Sequence, residues 1–151
     1  MTILYWFRRD RRLSDNPALC HAIDLATRRE QALLPVTLKT DDEITDWGFA
    51  RLGPHRQAYE AQSLTGLCQA LQARHSGLYE PEISGVDGLV ALAHANKAKT
   101  LVCEAIDAPQ EQHELVQLRT AGLDVQVIEQ SSLLTPEQLP FEPQNTPTVF
   151  S

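Results

Sequence analysis

The sequence predicts an α/β fold: a doubly wound, five-stranded parallel sheet in the order 3-2-1-4-5, with helices on both faces. Three observations carry this. Short apolar runs alternate with segments of helical period along most of the chain, the pattern of repeated strand–helix units. The first run, Thr2–Phe7, has no polar alternation, which suits a central strand covered on both faces. The segments between runs open with helix-start residues: Asn16-Pro17, Pro54, Ser84 and Pro109.

Each element follows in turn. Thr2–Phe7 is rich in strand formers, too short to span a membrane, and stops at Arg8-Arg9-Asp10-Arg11-Arg12. Asn16 can accept an orphan amide bond and Pro17 loses nothing at a first helical position, so the first helix starts there. Leu19, Ile23 and Ala26 recur at helical spacing, and Arg28-Arg29 suit the dipole of the last turn. Ala32–Leu38 reads as the second strand. Pro35 cannot donate to a ladder, so the strand is either short or bulged there.

Lys39–Gly53 is a long loop carrying Trp47 and Phe49. The second helix begins at Pro54, with Tyr59, Leu64, Leu67, Cys68 and Leu71 as its apolar stripe, and ends near His75 with Gly77 as cap. Leu78–Ile83 is the third strand, weakened by Pro81. Ser84, with Asp87 three residues on, resembles a capping box and opens a helix carrying Val86, Leu89, Val90 and Leu92. Thr100–Cys103 is the fourth strand. Asp107-Ala108-Pro109-Gln110 opens the fourth helix, with Leu115 and Leu118 inward and Gly122 as its stop; Val125–Ile128 is the fifth strand. Pro136, Pro140, Pro143 and Pro147 follow, a linker composition. The expected division is an α/β domain over 1–135 and a Pro-rich interdomain linker over 136–151.

Composition removes several classes. At 151 residues and 42% hydrophobic, the chain is one domain with a core. It has no apolar run long enough for a transmembrane helix and no signal-peptide pattern. Three unpaired cysteines, Cys20, Cys68 and Cys103, read as small hydrophobes in a reducing, cytoplasmic setting; no metal site is expected. Net charge is −7, and residues 76–151 carry 3 Lys/Arg against 11 Asp/Glu, a poor endowment for gripping DNA. There is no G-x-G-x-x-G, no Walker loop, no G-x-S-x-G elbow, and no histidine with an evident nucleophile partner, so no catalytic residue is assigned.

Ligands of open parallel sheets bind beyond the carboxyl ends of the strands. That places Arg9 and Asp10 after the first strand, Thr37 and Lys39 after the second, Arg51 and Gly53 at the entry to the second helix, and Glu104 and Asp107 after the fourth strand as the candidate binding set. The carboxylates can accept bonds from ring nitrogens or amino groups, Arg51 can neutralise an acidic tail, and Trp47 or Phe49 can stack on a planar ring. Blander readings stand beside these: Arg9/Asp10 as a surface salt bridge, Trp47 as a loop anchor, Arg56 as a solvated helix residue, Glu104 as an exposed carboxylate. Arg11 is expected to point to solvent or to pair with an acid such as Asp10 or Asp15, because a buried unpaired guanidinium is costly.

Residues Phe7-Arg8-Arg9-Asp10-Arg11-Arg12-Leu13-Ser14-Asp15-Asn16-Pro17-Ala18-Leu19 resemble the F-R-x-D-L-R-x-x-D-N-P-A-L opening of the photolyase/cryptochrome family, departing at Arg11. Arg51-Leu52-Gly53-Pro54-His55-Arg56 resembles the family's R-x-G-P-x-R helix start. Leu133–Phe141 resembles the close of its N-terminal domain, and Asn145–Phe150 its D-x-P-x-V-F/Y-T, most similar to DASH-type cryptochromes. Glu80-Pro81-Glu82 departs from the family's usual basic strand.

The resemblance implies a Rossmann-like N-terminal domain that holds a folate or deazaflavin/flavin antenna, with none firmly bound by this chain alone. The implied partner is an FAD-binding helical domain, absent here, which carries the flavin and meets DNA. The full-length protein would perform light-driven DNA repair or blue-light sensing, with the isolated chain inactive. The alternative is a stand-alone nucleotide-binding or interaction module without light chemistry; a homo-oligomer fits either.

Overall fold

The computed structural model describes residues 1–38, 48–50, 52–132, 134 and 138–145. Four parallel strands form one sheet: β1 (Thr2–Phe7), β2 (Ala32–Thr37), β3 (Thr100–Glu104) and β4 (Asp124–Ile128), in the order β2-β1-β3-β4. Helices α1 (Pro17–Arg29), α2 (Pro54–Gln72), α3 (Gly85–Ala95) and α4 (Pro109–Thr120) cover it. β1 is central as its composition requires, with Ile3 through Phe7 all buried.

Strand alternation divides β1 between two cores. Ile3, Tyr5 and Phe7 pack with Ala18, Leu19, Ala22, Leu25 and Ala26 of α1 and Leu67 and Leu71 of α2. Leu4 and Trp6 pack with Leu89, Leu92 and Ala93 of α3 and Leu115 and Leu118 of α4. The sheet is thus doubly wound, two helices to a face. Each fully buried large apolar side chain contributes about 1.5–3 kcal/mol. β1, which also carries the cleft at its end, therefore contributes to both cores.

The sheet has four strands rather than five. Leu78–Ile83 makes only an isolated parallel bridge, Tyr79 to Val36, on the side of β2 where the third strand was expected. Pro81 supplies no donor, and the chain then folds onto α3: a Cβ at Gly88 would lie 2.0 Å from the Ile83 carbonyl oxygen. β2 itself runs unbroken through Pro35. Pro35 O accepts from Tyr79 N at 2.9 Å, so this residue's backbone faces outward and its missing N–H costs no bond to β1.

Four smaller expectations change. Ile23 is 46% exposed; the inward face of α1 is Ala18, Leu19, Ala22, Leu25 and Ala26. Tyr59 is 70% exposed, and of the stripe proposed for α2 only Leu67 and Leu71 are buried. That helix ends at Gln72, with His75 rather than Gly77 adopting a positive φ of 56°. Ser84 is the N-cap of α3, but its side chain makes no capping bond. Among the described residues no helix is long and apolar enough to cross a membrane. The described part of the expected linker includes a 3-10 turn at Pro143–Asn145.

Candidate functional site

The turn from β1 to α1 is built around Asp10, which is 1% exposed. Its carboxylate accepts from the Tyr5 hydroxyl, from Asn16 Nδ2 at 2.9 Å, from Gln130 Nε2 at 3.2 Å and from the Arg8 amide at 3.2 Å. Asn16 Oδ1 in turn accepts from Leu19 N at 2.9 Å and caps α1, as its place before Pro17 predicts. Glu104, at the end of β3, accepts from the Arg9 amide at 2.6 Å and from Gln130 Nε2 at 3.4 Å. Burial raises the Glu104 carboxyl above the ordinary glutamate value, and the neighbouring Asp10 charge adds to this. Burial, with Asp10 beside it, pushes the Tyr5 hydroxyl up as well, which keeps its proton available to Asp10. The Cys103 thiol, buried in β3, is pushed up to about 12, which makes it a packing group rather than a nucleophile.

Three of the four arginines of the turn are tied to two helices. Arg8, its side chain only 3% exposed, donates to Glu114 Oε2 at 2.7 Å and to the Glu111 carbonyl at 3.1 Å, and stacks over Trp6 with its guanidinium carbon 4.5 Å from the ring centroid. Arg9 pairs with the buried carboxylate of Glu111. Arg11 reaches α2, donating to the Glu60 carbonyl at 3.2 Å and approaching Glu60 Oε2 at 3.5 Å. It pairs with an acid, as expected of a guanidinium with little exposure, and the acid is Glu60 rather than Asp10 or Asp15. Arg12 donates to the Asp15 carbonyl at 2.8 Å.

A cleft of about 520 Å³ opens beyond the carboxyl ends of β1 and β2. Trp6, Phe7 and Thr37 come from the strand ends, Val86 from the start of α3, and charged groups of α2 and α4 complete the wall. The volume is that of a small-molecule site. Among the described residues, three buried side-chain atoms have no hydrogen-bond partner: Arg8 Nη1, Arg11 Nε and Thr37 Oγ1. All three belong to residues lining this cleft. Buried polar atoms are ordinarily satisfied, so these three leave unspent hydrogen-bonding capacity in residues of the cleft wall.

The candidate residues divide accordingly. Arg9 and Thr37 line the cleft. Asp10 and Glu104 lie beneath it, where their bonds hold the turn together. Gly53 is the exposed N-cap of α2, and Asp107 is exposed between β3 and α4. Lys39, Trp47 and Arg51 lie outside the described residues. Sequence reasoning left out Trp6, Glu60, Glu111, His113, Glu114 and Gln117, all on the cleft. Their signal was present in part: Glu111 and Glu114 stand three apart, so both fall on one face of α4. Arg56, read as solvated, is half exposed, lines the cleft and pairs with Glu60 at 3.4 Å.

The family model described as DNA photolyase matches residues 3–151. Cryptochrome DASH of Synechocystis sp. is 29% identical over 158 residues, spanning 99% of this chain and 31% of its own length. The crystal structure of the Synechocystis sp. cryptochrome superposes with a TM-score of 0.84 at 28% identity, over 97% of this chain and 31% of that one. A class III photolyase from Agrobacterium tumefaciens gives a TM-score of 0.72 at 25% identity, over 91% of this chain and 27% of that one. An archaeal photolyase from Sulfolobus tokodaii, solved with two FAD molecules, shares the fold at 19% identity and a TM-score of 0.72, over 92% of this chain and 32% of its own. The chain thus spans about a third of the length of these relatives.

Proposed function

The chain belongs to the DNA photolyase family, and on that premise we propose that it is the N-terminal, antenna-chromophore-binding domain of a photolyase/cryptochrome-type flavoprotein. The observation that carries the reading is the cleft beyond β1 and β2 with its three unpartnered buried atoms. An antenna, when bound, absorbs light and passes the excitation to a flavin. The chain's own residues orient and neutralise such a ligand. Thr37 Oγ1 and Arg8 Nη1 offer unspent bonds at the floor. Trp6, Leu38 and Val86 supply apolar wall for a planar ring. Folate, deazaflavin and flavin all combine such a ring with polar edges, so the residues present fit the class. Lys39, Arg51, Gly53 and Asp107 remain candidate contacts around the rim.

Light-driven repair or blue-light sensing then belongs to the full-length protein, with FAD held by a partner helical domain and DNA met through that domain. The Sulfolobus tokodaii photolyase, with its two FAD molecules, supports a cofactor in addition to the catalytic flavin. The stand-alone nucleotide-binding or interaction module is the less favoured reading, since the family match continues through the tail to residue 151.

Absorbance and fluorescence titration of the purified chain with a folate, a deazaflavin and a flavin tests this. Saturable, weak, one-to-one binding of one of the three is expected, diminished by Thr37→Val. No saturable binding of any of them would sink the proposal. With added FAD, the chain alone is expected to give no light-dependent repair of pyrimidine dimers, and measurable turnover would overturn the assignment of chemistry to a second domain.

A further inference from the structure

Helix α2 is anchored by apolar packing at one end and by charge at the other. Its buried side chains are Leu67 and Leu71, both in the last two turns. Every residue from Gly53 through Tyr59 is exposed, and Gly53 supplies no side-chain cap bond. Clefts of about 250 and 310 Å³ lie between α2 and the β1–α1 turn. Arg11 crosses this gap. It donates to the Glu60 carbonyl at 3.2 Å and lies 3.5 Å from Glu60 Oε2, and Arg56 approaches the same carboxylate at 3.4 Å from within the helix.

The two anchors differ in strength. An ion pair of this length, partly screened by water, stabilises far less than a buried leucine. Arg11 Nε is buried without a partner, so the paired state leaves one donor unmet and parting the pair returns it to water. Gly66 stands between the halves. A Cβ there would meet nothing within 4 Å, so no close approach calls for glycine. Glycine weakens a helix interior because it gains the most conformational freedom on unwinding. The weakest point of α2 thus lies immediately before its first apolar anchor, Leu67. The loosely held half is also a wall of the larger cleft, to which it contributes Arg56 and Glu60.

We propose that residues 54–65 of α2 form a gate on the larger cleft, hinged at Gly66 and latched by Arg11 to Glu60. When the latch parts, this half of the helix leaves the strand ends and the cleft widens on that side. Leu67 and Leu71 hold the remaining turns against Ile3, Tyr5 and Phe7. The gate concerns entry to the cleft, whatever occupies it, and its readouts need no ligand.

Hydrogen exchange of the purified chain, followed residue by residue, tests the hinge and the latch. In the parent, amides 58–65 should exchange roughly tenfold faster than amides 70–72. Glu60→Ala should accelerate 58–65 by roughly threefold or more, although alanine is the better helix former. Arg56→Ala removes only the pair within the helix and should change them by about twofold or less. Gly66→Ala should slow them roughly fivefold. Equal protection of the two halves in the parent overturns the proposal, as does an Arg56→Ala effect as large as that of Glu60→Ala. Should Glu60→Ala fail to fold, about 1 M sodium chloride, which screens the pair, must accelerate 58–65 in the parent, and no acceleration overturns the latch. Access is read on Trp6, which lines the cleft and is 4% exposed. With Trp47→Phe leaving Trp6 as the one tryptophan, acrylamide should quench it more strongly in Glu60→Ala than in the parent and less in Gly66→Ala. Identical quenching in all three overturns the gate even where exchange behaves as expected.

Discussion

The side-chain amide of Gln130 donates to Asp10 Oδ2 at 3.2 Å, closing a contact between residues 120 positions apart. The same amide nitrogen lies 3.4 Å from Glu104 Oε2, and Gln130 Oε1 accepts from the Ala18 amide in the first turn of α1 at 2.9 Å. One side chain just past β4 thus stands between two partly desolvated carboxylates and a helix N-terminus. Replacing it with Leu should destabilise the domain by about 1–3 kcal/mol, since it leaves buried acceptors unmet. Gln130→Glu should cost more, because it sets a third negative charge against Asp10 and Glu104. Urea denaturation of both variants measures this, and a Glu variant as stable as the parent would contradict it.

Glu104 predicts a pH dependence. Its carboxyl is raised in the fold above the ordinary 4.5, by burial first and by Asp10 second. A group with a raised folded value contributes its stability below the unfolded value and loses it as pH climbs through the folded one. Glu104→Gln removes this titration. The variant should therefore gain on the parent as pH rises from weakly acidic to neutral, read as the difference in unfolding free energy. A difference that stays flat, or that moves toward the parent, counts against the assignment.

Gly88→Ala is expected to be severe for so small a change. The added Cβ would meet the Ile83 carbonyl oxygen at 2.0 Å, a backbone atom that cannot swing aside. Helix propensity alone would favour Ala by about 1 kcal/mol, so net destabilisation isolates the clash. Thermal melting decides it; a raised midpoint would mean that the 81–83 segment is free to move away.

Asn16→Ala should cost about 1–2 kcal/mol as a lost helix cap, with a further increment from the bonds its amide makes to Asp10 and to the Arg12 carbonyl. Asn16→Asp keeps the cap but places a second carboxylate on Asp10. The Asp variant should therefore be rescued by mild acid where the Ala variant is not, as followed by circular dichroism.

Much of the fold was legible because local chemistry and global position agree. The unbroken apolar run Ile3–Phe7 could be buried on both sides only at the centre of a sheet, and Asn16-Pro17 could begin only a helix. Tyr79 shows the limit. Leu78–Ile83 has the composition of a weak strand, but whether one residue or six pair with β2 depends on how closely Gly88 admits the Ile83 backbone.

The site was legible in address more than in partnership. Arg9 and Thr37, chosen for their place after β1 and β2, do line one cleft. Arg8 meets Glu114 across 106 positions, and no spacing rule reports such a meeting. Asp10 and Glu104 were read as ligand contacts, and the structure adds bonds to Tyr5, Asn16, Gln130 and backbone amides of the turn that no spacing announces.

Pro35 has a consequence for assembly. Its backbone faces the outer side of β2, where its carbonyl and the Thr37 amide are both taken by Tyr79. A foreign strand approaching that margin would find no N–H at Pro35 and would first have to displace Tyr79. The sheet is thereby guarded against templated growth on one side, and β4 is its only flank left to accept a strand from another molecule among the described residues.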